Sequence, residues 1–159
     1  MTTGGIYVPV NQRYFEDFVP GAIAEFGPVE VDEAEVVAFA ERYDPQPIHI
    51  DPDAAEKGPF GGLIASGWHT ASLVMRLLVD NYLARDASLA SPGIDELRWL
   101  WPVRPGDQLR VRATVIEARR SQSKPDRGLV RTKIETRNQD GRVVMSMLAM
   151  NLFRCRGQK

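Results

Sequence analysis

The sequence predicts a single α+β domain in which helices come before an antiparallel sheet. Up to about residue 85, apolar residues recur mainly at the spacing of amphipathic helices. After residue 92, apolar and polar residues alternate instead, which is typical of strands with one buried face. Helices followed by a run of strands favour the α+β class, and 159 residues suit one domain with a sizeable core.

The composition argues against several classes of partner. The 20 Lys and Arg residues balance 21 Asp and Glu residues, and this net charge of −1 argues against nucleic acid as a partner. A single cysteine, Cys155, cannot form an intrachain disulfide and suits a reducing compartment. No apolar run approaches the roughly 20 residues that span a bilayer, and the first residues lack the pattern of a signal peptide. We therefore expect a soluble, cytoplasmic protein without a membrane partner.

The chain begins with a weakly patterned segment, a strand and a helix. Residues 1–13 carry little apolar pattern and are expected to be loosely held. Residues 22–31 predict a strand that is interrupted by a Gly-Pro pair. Asp32 is typical of a helix N-cap, and Glu35 three positions later completes a capping box. The apolar spacing then predicts a helix that runs to about residue 43.

Two further helices follow in the first half. Asp51 and Pro52 predict the N-cap and the first position of a short helix. Beyond a Gly- and Pro-rich connector, residues 67–85 predict the longest helix, which is apolar over most of its surface. Its polar stripe consists of His69, Ser72, Arg76 and Asp80. We expect this stripe to face water, so His69 is interpreted as a helix-surface residue and not as a catalyst.

The second half of the chain predicts four strands. The alternating segments are residues 96–101, 109–115, 130–136 and 143–153. The last segment is apolar on nearly both faces, so we expect it to be central in the sheet or to lie at an interface.

An acid and an imidazole lie five positions apart between the first two predicted helices. Asp44 and His49 flank Pro45 and Pro47, which lack N–H donors and favour extended geometry in the residue before each. We therefore expect Asp44 and His49 on a fixed, non-helical loop. An acid and an imidazole held in this way can share a proton-transfer step.

Ser66 and Gly67 immediately precede the long apolar run. Free backbone N–H groups at a helix start can hold a negative charge. Glycine has no Cβ, so a ligand can approach its backbone closely. A proton-transferring pair opposite such a helix end suits addition to, or elimination from, a bond that a carbonyl group activates.

The stretch around the acid and the imidazole resembles the catalytic signature of the MaoC-like dehydratases and (R)-specific enoyl-CoA hydratases, Asp-x-Asn-Pro-Leu-His. In this chain it reads Asp44-Pro45-Gln46-Pro47-Ile48-His49. Residues 64–67 are similar to the family's Ile-Ala-His-Gly entrance to the central helix, and residues 14–18 and 101–107 also match. The resemblance implies the hotdog fold, an antiparallel sheet of about five strands wrapped around a long central helix. It also implies a homodimer.

The resemblance further implies that Asp44 and His49 catalyse the hydration of a trans-2-enoyl thioester, or the reverse dehydration. The two side chains would hold a water that attacks C3, while C2 receives a proton. The backbone N–H of Gly67 or of a neighbour would bind the developing enolate oxygen, with Ser66 as a second binding residue. The substrate would be an acyl-CoA or acyl-carrier thioester, and no further cofactor is implied.

Three residues depart from the family's pattern. Gln46 replaces the usual Asn, Tyr43 replaces a frequent Gly, and Ser66 stands where many members carry His. Trp68 and Tyr43 add bulk near the expected site. We therefore expect these positions to affect the shape of the substrate and not the acid–imidazole pair.

Other polar and titratable residues allow two interpretations. The polar loop 121–128 is surrounded by Arg119, Arg120, Lys124 and Arg127. These residues either form an ordinary solvated loop or contact the phosphates of coenzyme A or of a phosphopantetheine carrier. A metal site is disfavoured, since the chain has two histidines and no paired cysteines. Cys155 is interpreted as a small apolar residue and not as a nucleophile.

Two other functions stay open at this point. A hotdog thioesterase would direct attack at the carbonyl carbon, whereas the spacing of Asp44 and His49 resembles the hydratase loop. A non-catalytic subunit that binds acyl thioesters would keep the fold, and the intact pair argues against it. The length of the acyl chain and the physiological direction of the reaction do not follow from the sequence.

Overall fold

The computed structural model describes residues 4–157, which form five strands, four α-helices and one short 3-10 helix. In chain order they are the 3-10 helix Phe15–Asp17, β1 (Ile23–Glu30), α1 (Glu33–Tyr43), α2 (Pro47–Ile50), α3 (Pro52–Lys57), α4 (Gly67–Asn81), β2 (Ser88–Trp99), β3 (Gln108–Arg120), β4 (Arg127–Arg137) and β5 (Val143–Arg154). None of the helices in this part of the chain is both long enough and apolar enough to cross a membrane.

The five strands form one antiparallel sheet in the order β1-β3-β4-β5-β2. The consecutive strands β3, β4 and β5 make up its middle, while β1 and β2 are its edges. β5 lies between β4 and β2, in agreement with its two apolar faces. The predicted α+β class and the sheet of about five strands are therefore confirmed.

α4 packs its buried side against the inner face of the sheet. Val74 and Leu78 of α4 belong to one apolar cluster together with alternate residues of the strands, such as Val111 and Ile134. Alternate residues are buried because successive side chains of a strand point to opposite faces. The long central helix predicted from the sequence therefore covers the sheet.

The N-caps predicted for two helices are present, whereas within residues 4–157 the structure gives Glu35 no side-chain bond that would complete the predicted capping box. Asp32 accepts a hydrogen bond from the Glu35 backbone N–H at 2.9 Å, and Asp51 accepts one from the Ala54 backbone N–H at 3.1 Å. Each bond satisfies an N–H group that has no partner inside its helix. The two caps fix the starts of α1 and α3, and the cap at Asp51 also marks the end of the segment between these helices.

α4 ends at Asn81, earlier than the predicted residue 85. The guanidinium of Arg13 donates hydrogen bonds to the carbonyl oxygens of Asn81 and Tyr82. These carbonyls have lost their partners in the helix, and a cation is favourable next to them because of the helix dipole. The end of α4 is thus set by a residue from outside the helix.

The segment before β1 is held more firmly than the sequence suggested. Arg13 is 5% exposed, and its Nε donates to the Val8 carbonyl oxygen at 3.0 Å. Arg13, the last residue of the segment that was expected to be loosely held, thus packs its side chain against the end of α4. Residues 1–3 of that predicted segment lie outside the described residues.

The polar stripe of α4 is exposed except at its first member. Ser72, Arg76 and Asp80 are exposed, and Arg76 pairs with Asp80 at 2.8 Å. His69 is only 5% exposed, and its ring stacks on Phe39 of α1 with the ring centres 5.1 Å apart. The interpretation of His69 as a water-facing residue is therefore wrong, because α1 packs over the start of α4.

Candidate active site

The acid and the imidazole lie between α1 and α3. Asp44 directly follows α1, and its backbone N–H donates to the Ala40 carbonyl oxygen at 2.8 Å. Pro47 begins α2, a single helical turn that contains His49. The expectation that His49 lies on a non-helical loop is wrong, because proline is compatible with the first position of a helix.

The ring of His49 has a defined orientation. Its Nδ1 lies 2.7 Å from the carbonyl oxygen of Ile64, and the side chain is buried. A carbonyl oxygen only accepts hydrogen bonds, so Nδ1 carries the hydrogen. In the neutral ring Nε2 then has a free lone pair, and this atom is where His49 can accept a proton.

Asp44 is held by hydrogen bonds to both of its carboxylate oxygens. Oδ1 accepts from the side-chain amide of Gln46 at 2.6 Å, and Oδ2 accepts from the Ser66 hydroxyl at 2.7 Å. The Gln46 bond, the Ser66 bond and the neighbouring His49 lower the pKa of Asp44, while partial desolvation opposes them. Bonds to the charged form favour it, so Asp44 is a carboxylate at neutral pH.

Asp44 and His49 together can bind one water molecule. Oδ2 of Asp44 lies 3.3 Å from Nε2 of His49. When the ring is neutral, both atoms are acceptors, so a molecule with two donor hydrogens can satisfy them together. A water molecule bound in this way would have its oxygen lone pairs free for attack on a nearby carbon.

Ser66 supports this pair and does not cap the helix that follows. It occupies the N-cap position of α4, but its fully buried hydroxyl makes no capping bond and donates to Asp44. A serine hydroxyl has only one hydrogen to donate. The geometry therefore favours a role for Ser66 in orienting Asp44 over the predicted direct contact with a substrate oxygen.

The start of α4 provides free backbone donors. Among residues 4–157, the N–H groups of Gly67 and Trp68 find no acceptor, whereas those of His69 and Thr70 donate to the Ser66 carbonyl oxygen. The helix dipole adds partial positive charge at this end. These two amides can bind a developing negative charge, which is what the predicted oxyanion role of Gly67 requires.

The missing Cβ of Gly67 makes room for an indole. A Cβ added to Gly67 would lie 2.3 Å from Cε2 of Trp99, far inside contact distance. Nε1 of Trp99 also donates to the Gly67 carbonyl oxygen at 2.9 Å. We expected glycine here to admit a ligand, and the structure gives a different reason, which is that the Trp99 ring packs on the backbone.

A mostly apolar cavity of about 380 Å³ lies beside these groups. His49, Gly67 and Thr70 are among its lining residues, and its volume is within the usual range of small-molecule sites. The other lining residues are Phe60, Ile64, Ala65, Trp99, Leu100, Trp101, Pro102 and Val103. A ligand with an apolar chain and a carbonyl group would match this combination.

Some residues near the site differ from the sequence interpretation. We expected Gln46 to affect the shape of the substrate, but its side-chain amide donates a hydrogen bond to Asp44. Gln46 follows Asp44 by only two residues, and this short spacing is a signal in the sequence that could have indicated the contact. Trp99 was not assigned to the site at all.

Tyr43 is 62% exposed and is not part of the cavity wall. Trp68 does not line the cavity either, but its ring packs edge to face on Trp99 with the centroids 5.0 Å apart.

The four basic residues of the β3–β4 hairpin lie at the other end of α4 from Asp44 and His49. Gly128 of the hairpin pairs with Phe153, whose ring stacks on Phe18, and Phe18 contacts Tyr82 just beyond α4. The acid and the imidazole lie near the start of α4, and a helix of 15 residues spans about 22 Å. Within one chain the structure does not bring these basic residues to the cavity. They are Arg119, Arg120, Lys124 and Arg127.

The side chains of two of these basic residues form hydrogen bonds within the hairpin. Arg127 pairs with Asp126 at 2.9 Å, and Nε of Arg120 donates to the Pro125 carbonyl oxygen at 2.8 Å. These contacts favour a structured hairpin over a freely solvated loop. Contact with coenzyme A phosphates stays a prediction.

His69 is close in sequence to the site but does not line the cavity. Burial lowers its pKa, and the charge of Glu35 partly opposes this effect. Its Nδ1 is buried without a hydrogen-bond partner in the described part of the chain. Over the same residues, no three His, Cys, Asp or Glu side chains gather in an arrangement that could hold a metal ion.

A family model matches most of the chain, including the stretch that carries the candidate site. Residues 17–138 match the family model described as "MaoC like domain". The chain belongs to the MaoC-like domain family. The matched residues include Asp44, His49, Ser66 and Gly67, so the family assignment covers every residue of the acid–imidazole pair and of the helix start.

Solved structures extend this similarity over nearly the whole MaoC-like domain. A MaoC-like dehydratase from Rhodospirillum rubrum is 42% identical, with a TM-score of 0.84 over 91% of this chain and 98% of that one. The (R)-hydratase PhaJ1 from Pseudomonas aeruginosa is 25% identical, with a TM-score of 0.73 over 89% of this chain and 85% of that one. The predicted hotdog fold is therefore confirmed.

A curated relative is similar over a shorter span. The 3-hydroxybutyryl-CoA dehydratase from Methylorubrum extorquens is 36% identical over 109 residues, which are 65% of this chain and 64% of that protein. The chain thus matches slightly less than two thirds of this relative. The three similar proteins are named as dehydratases or as a hydratase, and these names describe opposite directions of one type of reaction.

Proposed function

We propose that this MaoC-like domain catalyses the reversible addition of water to a 2-enoyl thioester, giving a 3-hydroxyacyl thioester. The observation that carries the proposal is the 3.3 Å approach of Asp44 Oδ2 and His49 Nε2 near an apolar cavity. The free amides of Gly67 and Trp68 add the donors that a thioester oxygen would need. Family membership and the names of the relatives support the same reaction class.

The proposed mechanism uses Asp44 and His49 as a unit. Water donates one hydrogen bond to each residue, and its oxygen forms a bond to C3 of the enoyl group while the C2–C3 double bond becomes a single bond. His49 Nε2 takes the proton, because the lowered pKa makes Asp44 the weaker base. The neighbouring Asp44 carboxylate stabilises the resulting imidazolium, which then returns the proton to C2.

The negative charge on the thioester oxygen needs stabilisation while C2 lacks its proton. The amide N–H groups of Gly67 and Trp68 bind this oxygen in the proposed complex, and the dipole of α4 adds to the effect. The apolar wall excludes water other than the reacting molecule, which strengthens both interactions. Dehydration follows the same steps in reverse, since both directions pass through the same transition states.

The proposed substrate is linked either to coenzyme A or to an acyl carrier. The cavity offers apolar walls for the acyl group, and the basic residues of the hairpin in the same chain do not line it. In this proposal, contacts from Arg119, Arg120, Lys124 or Arg127 to the phosphates come from a second copy of the chain. This part of the proposal depends on the homodimer.

The homodimer is proposed because, among the described residues, one side of the edge strand β2 is unpaired. Ile94, Leu100 and Trp101, in or just after this strand, are about half exposed. An unpaired edge strand offers free backbone N–H and C=O groups to a strand of another chain. Light scattering at micromolar concentration should give twice the mass of the chain, and a monomer would contradict this assembly.

Product analysis with a crotonyl thioester tests the proposed reaction. Formation of a 3-hydroxybutyryl thioester is the expected result, and 3-hydroxybutyryl-CoA should be dehydrated by the same preparation. Release of a free thiol without hydration would show a thioesterase instead. Binding without either product would favour the non-catalytic alternative.

A further inference from the structure

An irregularity in β2 sets the direction of the side chains at its end. Along the β2–β5 ladder, Asp95 pairs with Leu148 and Arg98 pairs with Ser146, so β2 has one extra residue between these positions. Glu96 lies in this bulge with φ of 52°, a left-handed conformation that non-glycine residues rarely adopt. Such backbone strain persists where the surrounding structure enforces it and is frequent near functional sites.

The bulge turns Trp99 toward the inside of the sheet. Trp99 lies opposite the fully buried Met145, and opposite residues of an antiparallel pair point to the same face. Without the extra residue the alternation would be reversed and the indole would point to the outer face. The strand is therefore built so that its last residue reaches the start of α4.

Trp99 is fixed once it reaches that position. Its Nε1 donates to the Gly67 carbonyl oxygen, its ring occupies the space of a Gly67 Cβ, and Trp68 contacts it edge to face. An indole held by a hydrogen bond and by two packing contacts forms a stiff wall. The wall belongs to the cavity that also contacts His49.

We propose that Trp99 is the residue that restricts the acyl group to short chains. This inference rests on the hydration function proposed above. A thioester oxygen bound at the Gly67 amide would place the first acyl carbons beside the indole, because the ring lies directly on Gly67. An apolar cavity discriminates between acyl groups mainly by volume, so a fixed ring at this point sets the upper limit.

Activity on two chain lengths tests the inference. The ratio of kcat/KM for trans-2-octenoyl-CoA to that for crotonyl-CoA should rise by about tenfold or more in Trp99→Ala, because volume changes in apolar pockets have effects of this size. Trp101→Ala is the matched control. Trp101 also lines the cavity, but its ring packs on the guanidinium of Arg142 at 3.8 Å, whereas the atoms nearest to a Cβ at Gly67 all belong to Trp99. The ratio should change much less in this variant.

A binding series separates this inference from the proposed reaction. The affinities of the saturated thioesters butyryl-CoA and octanoyl-CoA are measured by calorimetry for the wild type and for Trp99→Ala. Two ratios are compared, the kcat/KM ratio of octenoyl-CoA to crotonyl-CoA and the affinity ratio of octanoyl-CoA to butyryl-CoA. If the wild type hydrates crotonyl-CoA and neither ratio changes in Trp99→Ala, the inference is wrong and the proposed function stands. If the wild type hydrates nothing but the variant gains affinity for octanoyl-CoA, the function is wrong and the wall is supported. If Trp99→Ala does not fold, Trp99→Leu is measured instead. Both ratios should then change in the same direction but by a smaller factor.

Discussion

α4 is closed at its C-terminal end and open at its N-terminal end. At the C-terminal end, Arg13 donates to the last carbonyl oxygens, and the Tyr82 hydroxyl is bonded to Thr132 at 2.7 Å. At the N-terminal end, the amides of Gly67 and Trp68 have no acceptor within the described residues. The same helix therefore has satisfied polar groups at one terminus and available donors at the other.

The two ends of α4 therefore differ in role: the C-terminal end contributes mainly to stability, and the N-terminal end mainly to function. Satisfied helix termini stabilise a fold, because each unpaired buried polar group is unfavourable. Free donors are tolerated where a ligand is to supply the partner, and the cavity lies at the open end. Changes at the open end should thus affect activity first, and changes at the closed end should affect stability first.

The largest effect is expected from the acid–imidazole pair at the open end. Asp44→Asn and His49→Gln should each lower kcat for hydration by about 10² or more, since general acid–base groups contribute about 10²–10⁴. The melting temperature should change little, because both replacements have nearly the shape of the original side chain. Steady-state kinetics with crotonyl-CoA gives the comparison.

The double variant Asp44→Asn/His49→Gln is the control for the shared role of the two residues. Because they handle one proton as a unit, the double variant should lose little more than the worse single variant. If the loss of kcat in the double variant equals the product of the two single losses, the residues act in separate steps. Near-wild-type turnover in either single variant would remove that residue from the mechanism.

The closed end should respond in the opposite way. Arg13→Met keeps most of the apolar stem but removes the donors to the two carbonyl oxygens, and unsatisfied buried groups each cost about 1–3 kcal/mol. We expect the free energy of unfolding to fall by about 3 kcal/mol, as measured by urea denaturation. The kcat of the folded fraction should stay the same, and a loss of kcat at full folding would contradict the separation of the two ends.

Most of the fold could be predicted from the sequence because its signals are local. The alternation of the late strands and the caps Asp32 and Asp51 depend on neighbouring residues only. The predictions that were wrong concern features that depend on contacts between distant parts of the chain. His69 is buried because α1 packs on it, and the end of α4 is set by Arg13, which is distant in sequence.

The site was predicted less completely for the same reason. Asp44 and His49 were found because one short stretch carries both of them, although the helical turn at His49 was not expected. The bond from Ser66 to Asp44 joins residues 22 positions apart, and Trp99 approaches Gly67 over 32 positions. Neither contact leaves a periodic pattern in the sequence, and the bulge that aims Trp99 is visible only in the strand pairing.

A double-mutant cycle sharpens the description of the open end. Gly67→Ala places a Cβ inside the Trp99 ring, so the ring has to move, and overpacking of this kind costs about 1–3 kcal/mol. In a Trp99→Ala background the same substitution meets no ring and should be nearly neutral. Urea denaturation of the four proteins measures the coupling. Equal costs in both backgrounds would mean that the glycine is needed for another reason.

The smallest effect concerns His69, the buried imidazole in the first turn of α4. Burial lowers its pKa, and a cation near the start of a helix is also unfavourable. The unfolded chain, with a histidine pKa of about 6.5, therefore binds a proton more readily than the folded chain does. The stability that depends on a neutral His69 is therefore fully present above a pH of about 6.5 and is lost as the pH falls below this value.

His69→Phe tests this effect, since phenylalanine keeps an aromatic ring against Phe39 and does not titrate in this range. Between pH 7.5 and pH 5 the variant should lose less unfolding free energy than the wild type, because the carboxylates titrate alike in both proteins. The charge of Glu35 partly offsets the shift, so Glu35→Gln should make the wild-type loss slightly larger. Chemical denaturation at the two pH values measures all three proteins. An identical pH dependence in wild type and His69→Phe would show that the first turn of α4 accommodates a charged imidazole, and this part of the contrast between the two ends would then be wrong.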